Sequence, residues 1–306
     1  MKTFWIATLL MVAGIQTYAC DVCGCSATGR TLSLWPKGAR SFAGVRYEYR
    51  HFTSVHESLF GQEPETSSDE YFHTWTIWGQ WRINNAWSLM AHVPIHAYRQ
   101  VSKSGTFDTH GVGDLSLQIN YQIWEQMDST HSWSHQLSGG LGVKAPTGAY
   151  DLIDLSEVVI PNMQPGTGSW DVFAFLNYVG RVEKWGIQAQ SSFQYNGVNS
   201  FGYQFGQRIV AELKGFRELP ISKRESVYPF VSVRNDWATK DMIEVDAGEL
   251  NAFTGGNFLQ GSAGLQWSTQ WGQLAFTGAV PIWQNFGSGS IELNARFSTE
   301  LVFFIP

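Results

Sequence analysis

Three cysteines, Cys20, Cys23 and Cys25, are the whole thiol content of this 306-residue chain, and they stand together in C-D-V-C-G-C. Thiolates at C-x-x-C-x-C spacing share one short loop and suit a soft ion such as Zn(II) or Cu(I), with a fourth ligand from Asp21, a histidine or another subunit. In an oxidising compartment the same triplet forms one disulfide and leaves a thiol over. A third chemistry is lipidation of Cys20, although Thr17-Tyr18-Ala19 lacks the aliphatic residue usual three positions before a lipidated cysteine. The spacing leaves all three open, with zinc or copper as the candidate cofactor.

The other groups with chemical potential are spread along the chain. His92 and His96 fall four apart on one face of an alternating segment, about 13 Å at roughly 3.3 Å per residue, too far to share an ion. Charges of both signs recur at positions that alternation turns to one side: Arg46, Glu48, Arg50, Arg82, Asp114, Lys144, Asp171, Arg208, Glu212, Arg234, Asp236, Glu292, Arg296 and Glu300. Such a set lines a hydrated path or pairs into salt bridges that fill a small barrel. No G-x-S-x-G elbow, H-E-x-x-H pair or phosphate loop is present, so the expectation is not an enzyme. A Ser, His and Asp gathered from different strands is the residual enzymatic reading, because a triad is recognised by geometry.

The elements that must carry these groups read as strands. From Ile291 the odd positions run Ile291, Leu293, Ala295, Phe297, Thr299, Leu301, Phe303, and the even ones Glu292, Asn294, Arg296, Ser298, Glu300. That strand exceeds the roughly 9–11 residues needed to cross a bilayer when tilted. It closes on Phe303-Phe304, a finish suited to recognition by the barrel-assembly machinery. Comparable alternation fills Ala39 to Val55, Tyr71 to Ile83, Trp87 to Val101, Gly111 to Gln126, His131 to Thr147, Trp170 to Val182, Trp185 to Val198, Tyr203 to Phe216, Ser226 to Thr239, Asn257 to Thr269 and Gly272 to Asn285. These make about 12 strands, the even number that bacterial single-chain barrels require.

Composition agrees. Aromatics reach 15%, with 14 Trp, while charged residues are only 15%, and mean hydropathy is −0.16. Met1 to Ala19 reads as a secretory signal, basic at Lys2 and apolar from Phe4 to Ile15. Beyond it no run approaches the 18 or so apolar residues of a spanning helix, and only helices and closed barrels satisfy their backbone in lipid. Connections alternate short and long: Asn84-Asn85, Asp128 to Thr130, Glu183-Lys184, Arg217 to Glu225 and Gln270-Trp271, against His56 to Glu70, Ser102 to His110, Gly148 to Gly168 and Lys240 to Gly256. This is the asymmetry of periplasmic turns and extracellular loops. Trp35, Trp87, Trp170, Trp185, Trp237, Trp267 and Trp271 sit near strand ends, where aromatic girdles lie. A net charge of −6 gives no support to nucleic-acid binding, which wants basic stripes.

Gly111-Val112-Gly113-Asp114-Leu115, Lys144-Ala145-Pro146-Thr147-Gly148 and Pro165-Gly166-Thr167-Gly168-Ser169-Trp170-Asp171 follow one another in the chain. In these motifs, across about Ala39 to Pro306, the sequence resembles the outer-membrane barrel family known as meta-pathway phenol-degradation transporters. The resemblance implies a barrel and a transport role. The C-x-x-C-x-C segment departs from that family's pattern.

The expected protein is therefore all-β: a signal at 1–19, a cysteine-bearing periplasmic segment at 20–38, and a single antiparallel transmembrane barrel of about 12 strands at 39–306 in the outer membrane of a Gram-negative cell. Its expected partners are outer-membrane lipid and a small solute passing through a polar lumen, with a possible metal link through the cysteines. The alternatives are a metal-handling barrel without an open pore and a barrel hydrolase.

Overall fold

Residues that alternate apolar and polar over ten or more positions cannot bury both faces in a soluble core, and in this chain they close on themselves. The computed structural model describes Leu34 and residues 40–56, 66–103, 105–128, 133–154, 157–158, 161–245, 247–251 and 254–305. The signal and the three cysteines lie outside the described residues. The strands are β1 (Ser41–His56), β2 (Thr66–Arg82), β3 (Trp87–Ser102), β4 (Gly105–Val112), β5 (Ser116–Asp128), β6 (Trp133–Lys144), β7 (Ile153–Asp154), β8 (Glu157–Val158) and β9 (Asp171–Val182). They continue as β10 (Trp185–Tyr195), β11 (Arg208–Arg217), β12 (Leu219–Ser222), β13 (Glu225–Ala238), β14 (Met242–Glu244), β15 (Glu249–Leu250), β16 (Gly256–Ser268), β17 (Gly272–Phe286) and β18 (Ile291–Ile305).

The wall is a closed antiparallel barrel of twelve staves. In order these are β1, β2, β3, the broken stave β4 plus β5, β6, β9, β10, β11 with its extension β12, β13, β16, β17 and β18. β18 returns to pair with β1, Ser41 opposite Ile305 and Arg46 opposite Glu300. Two-stranded ribbons β7–β8 and β14–β15 stand off the wall. Pairing of β18 with β1 leaves the sheet without a free first or last strand, which a membrane demands. Outward positions carry Val45, Ile77, Leu89, Leu117, Ile119, Leu141, Ile187, Leu213, Val231, Phe276 and Val280, all substantially exposed. Trp87, Trp185, Trp267 and Trp271 ring the end with the short turns, taken as periplasmic, and Trp170 and Trp237 the other. Trp35 lies outside the described residues.

Several local expectations change. The stretch from Ser102 to His110 is not a loop: β3 and β4 pair through it, Ser102 against Gly105 up to Ile95 against Val112. The fourth stave breaks at Gly113–Leu115, where β3 hands its partner from β4 to β5. The strand expected from Tyr203 to Phe216 begins only at Arg208. A bulge in β18, opposite the step from His51 to Phe52, inserts one unpaired residue and reverses the side-chain phase. Ile291 and Leu293 therefore turn inward and are buried, while Glu292 is exposed and does not line the lumen.

Candidate lumen site

The interior is built in three tiers, and only the middle one is the polar lumen that alternation predicts. Towards the extracellular end, Phe52, Phe72, Tyr98, Phe258, Phe286, Ile291 and Leu293 close around Met163. Met163 belongs to no stave; it sits in a helical turn, Pro161–Met163, of the segment inserted between β6 and β9. Thr109 of β4 donates to its carbonyl at 2.5 Å. Towards the periplasmic end, Phe42, Trp78, Met90, Val179, Phe216, Tyr228, Phe230 and Val302 close around Leu34, which precedes the first strand. Gln266 donates to the Leu34 carbonyl at 3.3 Å.

The charged tier lies between these closures. Arg46 and Glu300, directly opposed on β1 and β18, pair at 2.7 Å. Arg50 and Arg296 are also directly opposed, a like-charge pairing that costs energy unless an anion intervenes. Glu48 supplies it, reaching Arg296 at 2.7 Å and Arg50 at 3.2 Å. Asp236 does the same for Arg208 at 2.6 Å and Arg234 at 2.7 Å. Glu212 accepts from Ser232 at 2.7 Å and lies 3.7 Å from Lys214. The cations also cap the apolar tiers: Arg50 lies over Phe72, Arg46 over Trp78 and Lys214 over Phe230, at 4.8 to 5.6 Å from the ring centres.

The opposite wall, from β3 to β10, is polar and neutral away from Asp114, Lys144 and Asp171, with Gln118, Asn120, Ser138, Asn177 and Gln188 buried and hydrogen-bonded to one another or across the strands. His92 stacks on Trp78, centroids 6.0 Å apart, and His96 meets Thr74 Oγ1 through Nδ1 at 3.1 Å. Two cavities occupy the middle tier. One lies against the neutral wall and touches Met90, His92, Gln118, Phe175 and Val210. The other lies against the charged wall at Arg46, Lys214, Arg296 and Glu300. Glu212 and Arg234 line both and form the ridge between them.

Asp114, Lys144 and Asp171, read from sequence as three separate lumen charges, converge in one place. Asp114 accepts from the Gly148 and Thr167 amides, both at 2.9 Å, and from Thr167 Oγ1 at 2.7 Å. Lys144 Nζ donates to Thr167 Oγ1 at 2.6 Å, stands 3.2 Å from Asp114 and pairs with Asp171. Ser169 donates to Asp171 at 2.8 Å. The glycines of the three motifs permit this approach. A Cβ on Gly166 would stand 2.4 Å from the Gly148 carbonyl oxygen, and one on Gly113 would stand 2.4 Å from His96 Nε2. The network is a clasp that holds the 145–170 insert against the break in the fourth stave.

Of the sequence-derived lumen set, Arg46, Glu48, Arg50, His92, His96, Arg208, Arg234, Arg296 and Glu300 face the interior. Arg82 sits at the periplasmic rim, where its guanidinium donates to the Asn84 carbonyl at 3.0 Å and to Asn85 Oδ1 at 2.5 Å, so it caps a turn. Alternation along β11 also places Lys214 inward, two residues from Glu212, whereas Leu34, Met163 and Thr167 carry no periodic signal. Among the described residues no group of three His, Cys, Asp or Glu is arranged to hold a metal. Cys20, Cys23 and Cys25 lie outside them.

No protein-family model matches the sequence, and no curated protein matches it. Solved structures do. The crystal structure of the COG4313 outer membrane channel from Pseudomonas putida F1 aligns with a TM-score of 0.62 at 17% identity, over 88% of this chain and 97% of that one. The beta domain of the Bordetella autotransporter BrkA gives 0.48 at 9%, over 87% and 100%, and the translocator domain of autotransporter NalP from Neisseria meningitidis 0.42 at 12%, over 88% and 90%. At 17% identity the first likeness is one of fold, and with the closed wall and apolar outer band it makes this chain a twelve-stranded β-barrel of the outer-membrane type.

Proposed function

We propose that this barrel is a channel for a small solute, whose path runs through the two central cavities and is gated at both ends by segments that are not staves. The observation that carries this reading is the origin of the closures. Met163 comes from an inserted segment and Leu34 from ahead of β1, so either can withdraw while every ladder bond of the wall stays made. A barrel filled only for stability has no need to borrow its closures in this way. The resemblance to phenol-degradation transporters and the fold shared with an outer membrane channel support a transport role.

The planar-bilayer conductance of the refolded chain from residue 20 onward tests the reading. Discrete current steps are expected, larger in Leu34→Ser than in the parent. A silent bilayer from both folded proteins overturns it. We further propose that Cys20, Cys23 and Cys25 link a soft metal ion, zinc or copper, to the periplasmic closure, since Leu34 lies only nine residues beyond Cys25. Replacing all three by serine should abolish bound metal and any response of the current to it; unchanged metal content dismisses the link.

A further inference from the structure

The cavity against the charged wall is not electrically neutral. Its lining carries four basic side chains, Arg46, Lys214, Arg234 and Arg296, against two acids, Glu212 and Glu300. A positive excess enclosed by low-dielectric walls draws an anion from solution. Its placement is specific. Gln260, with its amide oxygen turned towards the charged wall, accepts from Arg296 Nη1 at 3.0 Å and Arg234 Nε at 3.2 Å. A neutral acceptor thus gathers side by side two guanidinium groups whose ion pairs are with Asp236 and Glu48. Both line the cavity against the charged wall together with Lys214.

We propose that this tier is a binding site for a small organic monoanion, a carboxylate carrying a short apolar body. Its carboxylate sits among Arg234, Arg296 and Lys214, where charge-assisted hydrogen bonds are strong. Its body crosses the Glu212–Arg234 ridge into the neighbouring cavity, whose apolar contacts are Met90, Phe175 and Val210. A bare inorganic anion would use only the first half of the site, and an uncharged solute only the second. The role in passage rests on the channel reading above; the binding does not.

The test separates the two. The unfolding midpoint of the full refolded barrel is followed by heat-modified gel mobility while potassium hexanoate is titrated against potassium chloride at equal ionic strength. Saturable stabilisation by hexanoate is expected. Lys214→Gln, which removes a positive charge, should weaken hexanoate roughly tenfold, and Glu300→Gln, which adds to the excess, should strengthen it by a similar factor. General damage to the fold would move both variants in the same direction. No saturable hexanoate effect in the parent barrel, or variants that shift together, overturns the site whatever the bilayer shows. A hexanoate effect with a silent bilayer keeps the site and discards the channel.

Discussion

Lys144 shows how much rests on single side chains in this interior. Its ammonium is the only cation in contact with Asp114 and Asp171 among the described residues, and all three are almost wholly buried. Breaking a buried ion pair by removing one partner strands the other charge, at about 3–5 kcal/mol. Lys144→Met should destabilise the barrel by that order in urea unfolding from lipid vesicles. Adding Asp114→Asn and Asp171→Asn should restore most of the loss, because neutral residues need no counter-charge. Gly113 is the second such position. Its Cβ would collide with the His96 ring, so Gly113→Ala should cost about 1–3 kcal/mol, the range for overpacking a filled core. At the exposed Arg99–Asp108 pair, bonded at 2.7 Å, Arg99→Ala should leave unfolding and current unchanged, since solvent screens surface pairs.

At the scale of elements, the insert between β6 and β9 and the bulge in β18 decide what the lumen presents. Met163 is fully buried in the extracellular closure, and Met163→Ala leaves a void there worth about 2–5 kcal/mol of lost packing. The energy holding the insert down falls by that amount, so the current carried by the variant should exceed that of the parent; an equal current would show that this tier is no gate. The bulge makes a sharper distinction. Glu292 and Glu300 are both acidic residues on β18, yet only Glu300 faces the interior. Glu292→Gln should leave the ion preference of the current unaltered, while Glu300→Gln should move it towards anions, as read from reversal potentials across a salt gradient.

For the whole molecule, the medium sets the rules. An outward face rich in Leu, Ile, Val and Phe is stable only in lipid, and a charge placed in its midplane costs roughly 2–4 kcal/mol. Leu141→Arg, at a position 65% exposed on the outer wall, should lower folding yield into vesicles by that order, with little effect on lumen properties. The inner face obeys the opposite economy. There the charges are retained because acids and bases stand in one network, and their sum rather than any one pair sets the field that a solute meets.

Much of this was written into the chain itself. Alternation with period two depends on local backbone geometry, so the twelve staves, the inward set Arg46, Glu48, Arg50, Arg208, Arg234, Arg296 and Glu300, and the membrane-facing band are legible without coordinates. What local pattern cannot encode is a contact between distant segments or a change of phase. One unpaired residue in β18 turned Glu292 out and Leu293 in. Three motifs spaced along 111–171 met as a single clasp because the fourth stave breaks where the insert returns. Leu34 and Met163, apolar residues in unpatterned stretches, became the closures because the barrel offered each an aromatic ring to fill. Strand identity is a property of neighbours in sequence; the state of the lumen is a property of neighbours in space, and only the closed tertiary structure brings those together.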